Sequence, residues 1–347
     1  MLARQHRWLI ASAFSSIFDF SMSTSVMKTE PILLVHGGAG DIPDERVPTK
    51  MAGMRKSVLV GFQVLKAGGS AIDAVEAAIK VMEDDEAFNA GYGSVLNTDG
   101  EVEMDACVML GNLSAGAVSI VRDIQHPISL ARLVMEKTPH VMFAGAGANR
   151  FAREQGVPFV APGSLVSESA KRSLEMFKKN QAEHLTETGH TKPPGPLKDV
   201  KNPGDVGTVG AVAIDINGNM AAGTSTGGLN GKMVGRVSDT SMIGSGTYCD
   251  EDVGAVSTTG HGDTIAKACL AHSIIKEMEH GKSAQDAASH CLEKMTNRLK
   301  HTAGAIVLSK EGDVGIYFTS KRMGWAYQKG NKIHSGVNHD HVVTEEV

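Results

Sequence analysis

Three short segments that combine hydroxyl side chains with glycine are the parts of this sequence most suited to chemistry. Gly207 and Thr208 open a predicted strand, residues 224–228 (Thr-Ser-Thr-Gly-Gly) end the next strand, and residues 258–262 (Thr-Thr-Gly-His-Gly) end another strand and open a helix. A single threonine in such a place is usually a β-branched strand residue. Three clusters at three strand ends instead predict hydroxyls that act together.

The hydroxyl of Thr208 is the candidate nucleophile. A threonine hydroxyl is weak and needs an adjacent base, and an N-terminal threonine carries one in its own α-amine, whose ordinary pKa is about 8. That amine would exist only after cleavage of the Gly207–Thr208 bond. The polar, proline-rich residues 181–207 would let the new chain end withdraw, and Gly207 has no side chain to obstruct the approach of Thr208 Oγ to the scissile carbonyl.

The turn after the Thr208 strand decides which threonine faces the candidate nucleophile. With a three-residue loop (216–218), Thr208 lies opposite Thr226. With a two-residue loop (217–218), Thr208 pairs with Gly227 and Thr226 faces away. The sequence is compatible with both registers.

Hydrophobic periodicity predicts the elements that position these segments. Strands are predicted at 32–35, 107–110, 117–121, 208–214, 220–226, 255–258, 304–308 and 313–319, and helices at 71–82, 127–137, 167–179, 263–280 and 283–298, with one more ending near 67. Because strands and helices do not alternate strictly, we expect an α+β fold with helices covering antiparallel sheets. The acidic run 83–86 at a helix end predicts a solvated turn or a loop whose carbonyls bind a cation.

The composition excludes several classes of protein. The 347 residues include 34 Lys+Arg and 39 Asp+Glu, a net charge of −5, which argues against nucleic acid or an anionic membrane as the main partner. No run of 18 apolar residues and no P-loop is present. The cysteines are far apart and predict buried thiols in a reducing compartment, without a zinc site: Cys107, Cys249, Cys269 and Cys291.

Residues 1–30 differ in composition from the rest of the chain. Arg4 and Arg7 precede a short apolar stretch, serines are frequent, and Asp19 is the only acid before Glu30. Such a segment is typical of a mitochondrial-type leader or of a disordered extension, and both interpretations stay open. We therefore expect a cytoplasmic protein, or a mitochondrial one if residues 1–30 act as a transit peptide.

Six ordered segments, spread over residues 31–347, resemble the plant-type asparaginase/isoaspartyl peptidase family of N-terminal-nucleophile hydrolases, and are most similar to its animal members. They are Leu34-Val35-His36-Gly37-Gly38, Phe88-Asn89-Ala90-Gly91, Gly207-Thr208-Val209-Gly210-Ala211-Val212, Thr224-Ser225-Thr226-Gly227-Gly228, Gly235-Arg236-Val237-Ser238-Asp239 and Ser257-Thr258-Thr259-Gly260-His261-Gly262. Six motifs in this order are far more specific than any one of them.

The resemblance implies a four-layer αββα sandwich and a precursor that cleaves itself between Gly207 and Thr208. The cut would give an α chain, residues 31–207, whose end (181–207) is a flexible linker, and a β chain, residues 208–347, of the same domain. The family also implies a homodimer of such αβ units.

The resemblance also implies the catalytic roles. Thr208 would attack the β-carbonyl of the substrate with its freed α-amine as base, and Thr226 would orient its hydroxyl. Thr259 and the Gly260 N–H would form the oxyanion hole, where a strand feeds a helix N-terminus whose dipole favours negative charge.

A clamp for the two α-groups of the substrate is implied by the segment 235–239. Arg236 would bind the α-carboxylate through its planar guanidinium, and Asp239 would bind the α-ammonium. A substrate with both α-groups free carries its amide at the β-carbonyl, so asparagine and β-aspartyl peptides would fit and α-linked peptides would not. The other substrate contacts implied are Val237, Ser238, Thr259, Gly260, His261 and Gly262.

The loop that ends the helix at 71–82 completes the implied site. Asn89 would support the nucleophile, and the loop resembles one that holds a sodium ion through the backbone carbonyls of Met82, Glu83, Asp85, Phe88, Ala90 and Tyr92. No organic cofactor is expected. The chain departs from the family pattern at Tyr92 (usually smaller), Ser238 (usually glycine), Thr240-Ser241 (usually Ser-Pro) and Gly324 (usually proline), which could change pocket rigidity or rate.

From these residues we expect a self-cleaving threonine amidohydrolase, a hydrolase and protease that converts L-asparagine to L-aspartate and ammonia and cleaves β-aspartyl dipeptides. Its expected partners are these small substrates, the two chains of one precursor and a second αβ unit. One alternative is an amidase for glycosylated asparagine, which the few cysteines and the weak leader disfavour. Another is an uncleaved, non-catalytic scaffold of the same fold.

Overall fold

A computed structural model describes residues 29–188 and 207–347, with the side chains of 181–188 excepted. Most of the predicted leader and most of the predicted linker therefore lie outside the described residues. The helix that the sequence predicts to end near residue 179 is α5 and runs to Thr188, so the segment predicted as linker begins within a helix. None of the helices in the described ranges combines the length and apolar character needed to cross a lipid bilayer.

The described residues form thirteen strands and eight α-helices. The strands are β1 (Ile32–Gly40), β2 (Met104–Leu110), β3 (Ala115–Val121), β4 (Met142–Ala144), β5 (Val209–Ile214), β6 (Met220–Thr226), β7 (Thr247–Asp250), β8 (Gly254–Gly260), β9 (Ala303–Ser309), β10 (Val314–Phe318), β11 (Arg322–Lys329), β12 (Lys332–Gly336) and β13 (Val342–Glu346). The helices are α1 (Val47–Lys66), α2 (Ala71–Glu83), α3 (Pro127–Lys137), α4 (Gly145–Glu154), α5 (Glu168–Thr188), α6 (Gly262–Ala268), α7 (Leu270–Glu279) and α8 (Ala284–Leu299). This mixed content is that of the expected α+β class.

Two sheets carry the strands. The larger has the order β13-β12-β11-β1-β5-β6-β2-β3-β4, and the smaller has the order β10-β9-β8-β7. All neighbouring strands are antiparallel except the β3–β4 pair. Helices α1, α2 and α3 pack on the larger sheet, α7 and α8 pack on the smaller one, and strands β1, β5 and β6 contact β8 or β9 between the sheets. This places the start of β5 and the ends of β6 and β8 close together.

The hairpin that carries Thr208 adopts the three-residue loop. Asp215 N donates to Asn219 O at 3.0 Å, and the strand register that follows sets Thr208 opposite Thr226. The carboxylate of Asp215 explains the choice, because its Oδ1 accepts from the backbone N–H of Asn217 (2.9 Å) and of Asn219 (3.1 Å). The alternative two-residue register is wrong.

Side-chain caps mark the starts of two helices. Ser70 accepts from the backbone N–H of Asp73, and the Asp73 carboxylate accepts from the backbone N–H of Ser70, which forms a capping box at the start of α2. Ser283 caps α8 in a similar way, by accepting from Asp286 N. Each cap satisfies backbone donors that the first helical turn leaves without partners.

The predicted helix at 263–280 is two helices. Cys269 adopts a left-handed conformation (φ 45°) that separates α6 from α7. It is also exposed, so the prediction of four buried thiols is wrong at this residue. The other three cysteines are buried, and all four are free thiols. Strands β4, β7, β11, β12 and β13 and helix α4 were not predicted. Of these strands, all but β11 are only three to five residues long, which leaves little pattern to detect.

The prediction of a solvated turn for the acidic run after α2 is wrong at Glu83. Its side chain is fully buried and accepts hydrogen bonds from Ser225 Oγ (2.6 Å) and Ile128 N (3.1 Å). Burial raises the pKa of Glu83. Glu83 thus ties the end of α2 to strand β6, next to Thr226.

Candidate active site

The register of the hairpin brings two of the predicted hydroxyls into contact. Thr208 Oγ1 donates to Thr226 Oγ1 at 3.2 Å, and Thr226 Oγ1 also accepts from Gly228 N at 3.0 Å. Both threonines are buried, with Thr208 6% exposed. The Thr208 hydroxyl is therefore held by a partner whose own orientation the following turn fixes.

The residue before Thr208 is enclosed by the backbone of β1 and the end of β8. A Cβ atom at position 207 would lie 2.6 Å from Thr259 Oγ1 and 2.8 Å from Ala39 N. A Cβ atom at position 38, where φ is +106°, would lie 2.5 Å from Gly207 O. Glycine is needed at both positions, because a side chain at either would displace the peptide that precedes Thr208.

The end of strand β8 carries the third hydroxyl cluster to the same place. Thr259 Oγ1 accepts from Ala39 N at 3.2 Å, so it faces the peptide of Gly207 from the smaller sheet. Gly260 has φ +130°, and a Cβ atom there would lie 2.6 Å from the Cα atom of Ala303. The structure thus brings Thr259 beside Gly207 and lets the chain turn sharply at Gly260 into α6.

The predicted clamp residues Arg236 and Asp239 border one space above Gly262. A Cβ atom at position 262 would lie 2.5 Å from Asp239 Oδ1 and 2.8 Å from Arg236 Nη2. Arg236 Nη2 is buried and has no hydrogen-bond partner within the described residues, although it lies 3.2 Å from Asp263 Oδ2. An under-used guanidinium nitrogen of this kind suits a carboxylate ligand. Asp263 is a neighbour that sequence reasoning missed.

The Asp239 carboxyl is suited to a cationic ligand. It is 2% exposed, and burial raises its pKa to about 7, although the positive charge of Arg236 opposes the shift. An ammonium group placed beside it would favour its ionised form. The space between Arg236 and Asp239 can therefore hold a group that carries both a carboxylate and an ammonium.

The backbone of the clamp segment is fixed by an aspartate that the sequence reasoning also missed. Asp105 is buried on β2, and its Oδ2 accepts from Ser238 N at 2.8 Å while its Oδ1 accepts from Ile120 N at 2.9 Å. Ser238, a departure from the family pattern, uses its Oγ to accept from Thr240 N at 3.2 Å. Val237 is half-buried between these anchors.

The structure shows the surroundings of Ser241 and Tyr92, two further departures from the family pattern, and of His261, a predicted substrate contact. Ser241 accepts from Ser119 Oγ at 2.7 Å, a bond from β3 that a proline could not make. Tyr92 is 38% exposed, so its size is accommodated at the surface. The ring of His261 stacks on His301 with centroids 3.9 Å apart, and burial lowers the pKa of His261.

Asn89 holds the turn that follows Thr226. Its Nδ2 donates to Gly228 O at 2.7 Å, and its backbone O accepts from Gly227 N at 2.9 Å. Lys232, which sequence reasoning missed, donates to Gly227 O at 2.9 Å from a buried position. Burial lowers the pKa of Lys232 to about 8. The turn is thus held from two sides.

A buried chain of hydrogen bonds lies one pleat below the hydroxyls of Thr226 and Thr259. His36 Nε2 pairs with Ser257 Oγ at 2.8 Å, Ser257 Oγ with Thr224 Oγ1 at 2.8 Å, and Thr247 Oγ1 donates to Thr224 Oγ1 at 2.5 Å. Thr224 and Ser257 each precede a site threonine by two residues and so share its face of the strand. Burial lowers the pKa of His36 to about 3, so its ring is neutral. This network, which links both sheets, was not predicted.

Three of the six carbonyls proposed for a cation lie beside Gly91 or Gly93. Glu83 O is close to the place that a Cβ atom at position 91 would take, and Phe88 O and Asp85 O are within 3.0 Å of that at position 93. Met82 O, Asp85 O and Ala90 O each accept a backbone N–H group. Neutral carbonyl oxygens suit a hard monovalent cation, so the residues present fit a sodium ion. In the described ranges no group of three or more His, Cys, Asp or Glu side chains could hold a metal.

Comparison with known proteins gives consistent matches over the described core. A family model described as asparaginase matches residues 29–337. The chain is 48% identical over 312 residues to an isoaspartyl peptidase/L-asparaginase of Xenopus laevis, covering 89% of this chain and 96% of that protein. It is 49% identical over 312 residues to the Homo sapiens protein of the same name (89% and 97%) and 46% identical over 320 residues to a probable isoaspartyl peptidase/L-asparaginase of Drosophila melanogaster (88% and 95%).

These matches agree with the geometry of the site. The family model spans all six motifs, and the segments that it includes converge on Thr208, Thr226 and Thr259. The relatives are close to 50% identical to this chain over 89% of its length. The family model, at residues 29–337, includes every segment of the site. The chain belongs to the asparaginase family.

Proposed function

We propose that this chain is the precursor of a threonine amidohydrolase that converts L-asparagine to L-aspartate and ammonia and cleaves β-aspartyl dipeptides. The observation that carries the proposal is the hydrogen bond between Thr208 and Thr226. Gly207, the residue before Thr208, packs closely against Thr259. Relatives named isoaspartyl peptidase/L-asparaginase support the choice of substrates. We further propose that the two sheets with their helices form the four-layer αββα sandwich of N-terminal-nucleophile hydrolases.

Self-cleavage would begin with attack of Thr208 Oγ on the carbonyl carbon of Gly207. The C–N bond then breaks and the proton of the hydroxyl ends on the nitrogen, which leaves an ester and a free α-amine on Thr208. Water hydrolyses the ester to give the carboxylate of Gly207 and to restore the hydroxyl. In the precursor, Thr226 Oγ1 accepts a hydrogen bond from the hydroxyl of Thr208. This bond points the hydrogen of Thr208 toward Thr226 and leaves the lone pairs of Thr208 Oγ1 facing away from Thr226.

The resulting α chain, residues 31–207, and β chain, residues 208–347, would share one site. The α-amine of Thr208 takes the proton of its own hydroxyl as Oγ adds to the β-carbonyl of the substrate, and returns it to the leaving amine. Thr259 and the Gly260 N–H stabilise the oxyanion, and water then hydrolyses the acyl ester. Removal of Gly207 would vacate the space beside Thr259 for the substrate carbonyl.

The clamp accounts for selectivity. Arg236 Nη2, which lacks a hydrogen-bond partner within the described residues, would bind the α-carboxylate, and ionised Asp239 would bind the α-ammonium. The substrate must then present its β-carbonyl to Thr208, so an α-linked aspartyl peptide, whose α-carboxylate is consumed, would be rejected. His261, Gly262, Val237 and Ser238 would line the remaining wall.

A sodium ion at the loop 82–92 would have a structural role. The carbonyl oxygens of Glu83, Asp85 and Phe88 would hold it, and its charge would keep these dipoles together around Gly91. Because Asn89 belongs to the same loop, the ion would help to hold the turn after Thr226. We also propose a homodimer of αβ units and, from the four free thiols, a reducing compartment such as the cytoplasm.

Intact-mass analysis and N-terminal sequencing of the purified protein test the proposal. We expect two fragments, one of them beginning Thr-Val-Gly-Ala, and release of L-aspartate from L-asparagine and from a β-aspartyl dipeptide but not from its α-linked isomer. Thr208→Ala should stay intact and inactive. A single uncleaved species that turns over substrate would contradict the mechanism, and preference for glycosylated asparagine would favour the alternative amidase.

A further inference from the structure

Lys50 is a buried ammonium that the proposed mechanism leaves unused. It lies in α1 and is 1% exposed. Its Nζ donates to Ala87 O at 3.3 Å and lies 4.9 Å from the centroid of the Phe88 ring. Within the described residues no carboxylate oxygen is at ion-pair distance from Lys50, so a carbonyl, an aromatic face and the more distant charge of Asp85 stabilise the ammonium.

A lysine at this position is unfavourable for stability alone. Removing an ammonium from water costs free energy, which a carbonyl and a ring offset in part. Burial accordingly lowers the pKa of Lys50 to about 7. Methionine has a similar length and would fill the same space without a charge, so the presence of lysine calls for another explanation.

The segment that Lys50 contacts reaches both sides of the proposed cleavage site. The Phe88 ring packs under the end of β1, where a Cβ atom at position 37 would lie 2.5 Å from Phe88 Cε1. The next residue, Gly38, packs on the carbonyl of Gly207. On the other side, Asn89 donates to the turn that orients Thr226.

Gly324 provides the space for this arrangement. A Cβ atom at position 324 would lie 2.9 Å from Met54 Sδ and 3.8 Å from Lys50 Cδ. Met54 Sδ in turn is 3.0 Å from the place of a Cβ atom at position 37. The absence of a side chain at Gly324 therefore leaves room for the side chains of Lys50 and Met54 beside Gly37.

We propose that Lys50 is a positioning residue for cleavage of the Gly207–Thr208 bond. Its ammonium holds the Ala87 carbonyl and the Phe88 ring, and the ring fixes the β1 backbone on which the scissile glycine packs. The inference rests on the proposed self-cleavage, and it adds a residue that touches neither the nucleophile nor the substrate.

The test compares cleavage and stability in three variants. Freshly synthesised precursor is followed by intact mass at pH 6, where the Lys50 ammonium is charged, and the melting temperature is measured on the same samples. We expect Lys50→Met to cleave about tenfold more slowly, as for a displaced reacting group, with an equal or higher melting temperature. Lys50→Gln, whose amide can still donate to Ala87 O, should be intermediate, and the exposed Lys56→Met should match the unaltered chain.

Three outcomes would overturn the assignment. A Lys50→Met chain that cleaves within about twofold of the unaltered rate would show that Lys50 does not position the bond. A Lys50→Met chain that fails to fold, or that loses cleavage and melting temperature together, would show a merely structural role. If the unaltered chain itself stays intact, the proposed self-cleavage is wrong, and the role of Lys50 that rests on it is wrong as well. Cleavage of the unaltered chain together with an unaffected Lys50→Met variant would contradict only the role of Lys50.

Discussion

Thr208 Oγ1 donates a 3.2 Å hydrogen bond to Thr226 Oγ1, whose other partner is the backbone N–H of Gly228. Val209, the first residue of β5, pairs with Ser225 of β6. One residue further along the same register, Thr208 lies opposite Thr226, so their contact follows from the strand register. Because Thr226 is also held by the turn, the direction of the Thr208 hydroxyl is set before any bond is cleaved. The first prediction addresses this contact.

Thr226→Val should keep the fold but slow self-cleavage. Valine has the shape of threonine and lacks the acceptor, so Thr208 Oγ would lose its defined orientation, and we expect a fall of about 100-fold in the cleavage rate. Thr226→Ser should retain most of the rate because it keeps the hydroxyl. The rates are measured by intact mass, and equal rates for the valine and serine variants would contradict the assigned role.

Gly207→Ala should block self-cleavage through crowding. A Cβ atom would lie 2.6 Å from Thr259 Oγ1 and 2.8 Å from Ala39 N, so the scissile carbonyl must move. A displacement of this size costs about 100-fold or more in rate. Gly147→Ala, where a Cβ atom would meet open space, is the matched control and should cleave normally. Cleavage of Gly207→Ala at the normal rate would contradict the packing described for this peptide.

Binding of L-aspartate to the mature enzyme should weaken as the pH falls below about 7. The pKa of Asp239 is raised to about 7 by burial, so the carboxylate proposed to bind the ammonium is ionised above that pH and protonated below it. We expect the dissociation constant to rise about tenfold per pH unit toward pH 5.5, as for loss of one ionised group. Calorimetry measures it. Asp239→Asn should bind weakly at every pH, and an unchanged pH dependence in that variant would assign the effect to another group.

Ser257→Ala should destabilise the protein without touching the substrate. It would leave the ring of His36 and the hydroxyl of Thr224 without their shared partner in a buried position. We expect a loss of about 1–3 kcal/mol in the free energy of unfolding, measured by urea denaturation. The exposed Ser114→Ala is the control. A loss below the error of the measurement would show that the network does not stabilise the contact between the sheets.

Several features of the site could be predicted from residues that are neighbours in the sequence. Threonines before glycines at strand ends, the cap at Ser70 and the Arg236–Asp239 spacing depend on residues near one another in the chain, and the structure places the site threonines together. Hydrophobic periodicity located most helices and most of the buried strands. These features follow from the amino acids and their immediate neighbours.

Only the tertiary structure decided how the parts meet. The hairpin register depended on the Asp215 carboxylate, and the enclosure of Gly207 depends on Gly38 and Thr259, which come from strands far apart in the sequence. The break of the helix at Cys269 likewise shows no periodic signal. Contacts between strands of different sheets are set by which faces pack together, and periodicity along one strand carries no information about its partner across the core.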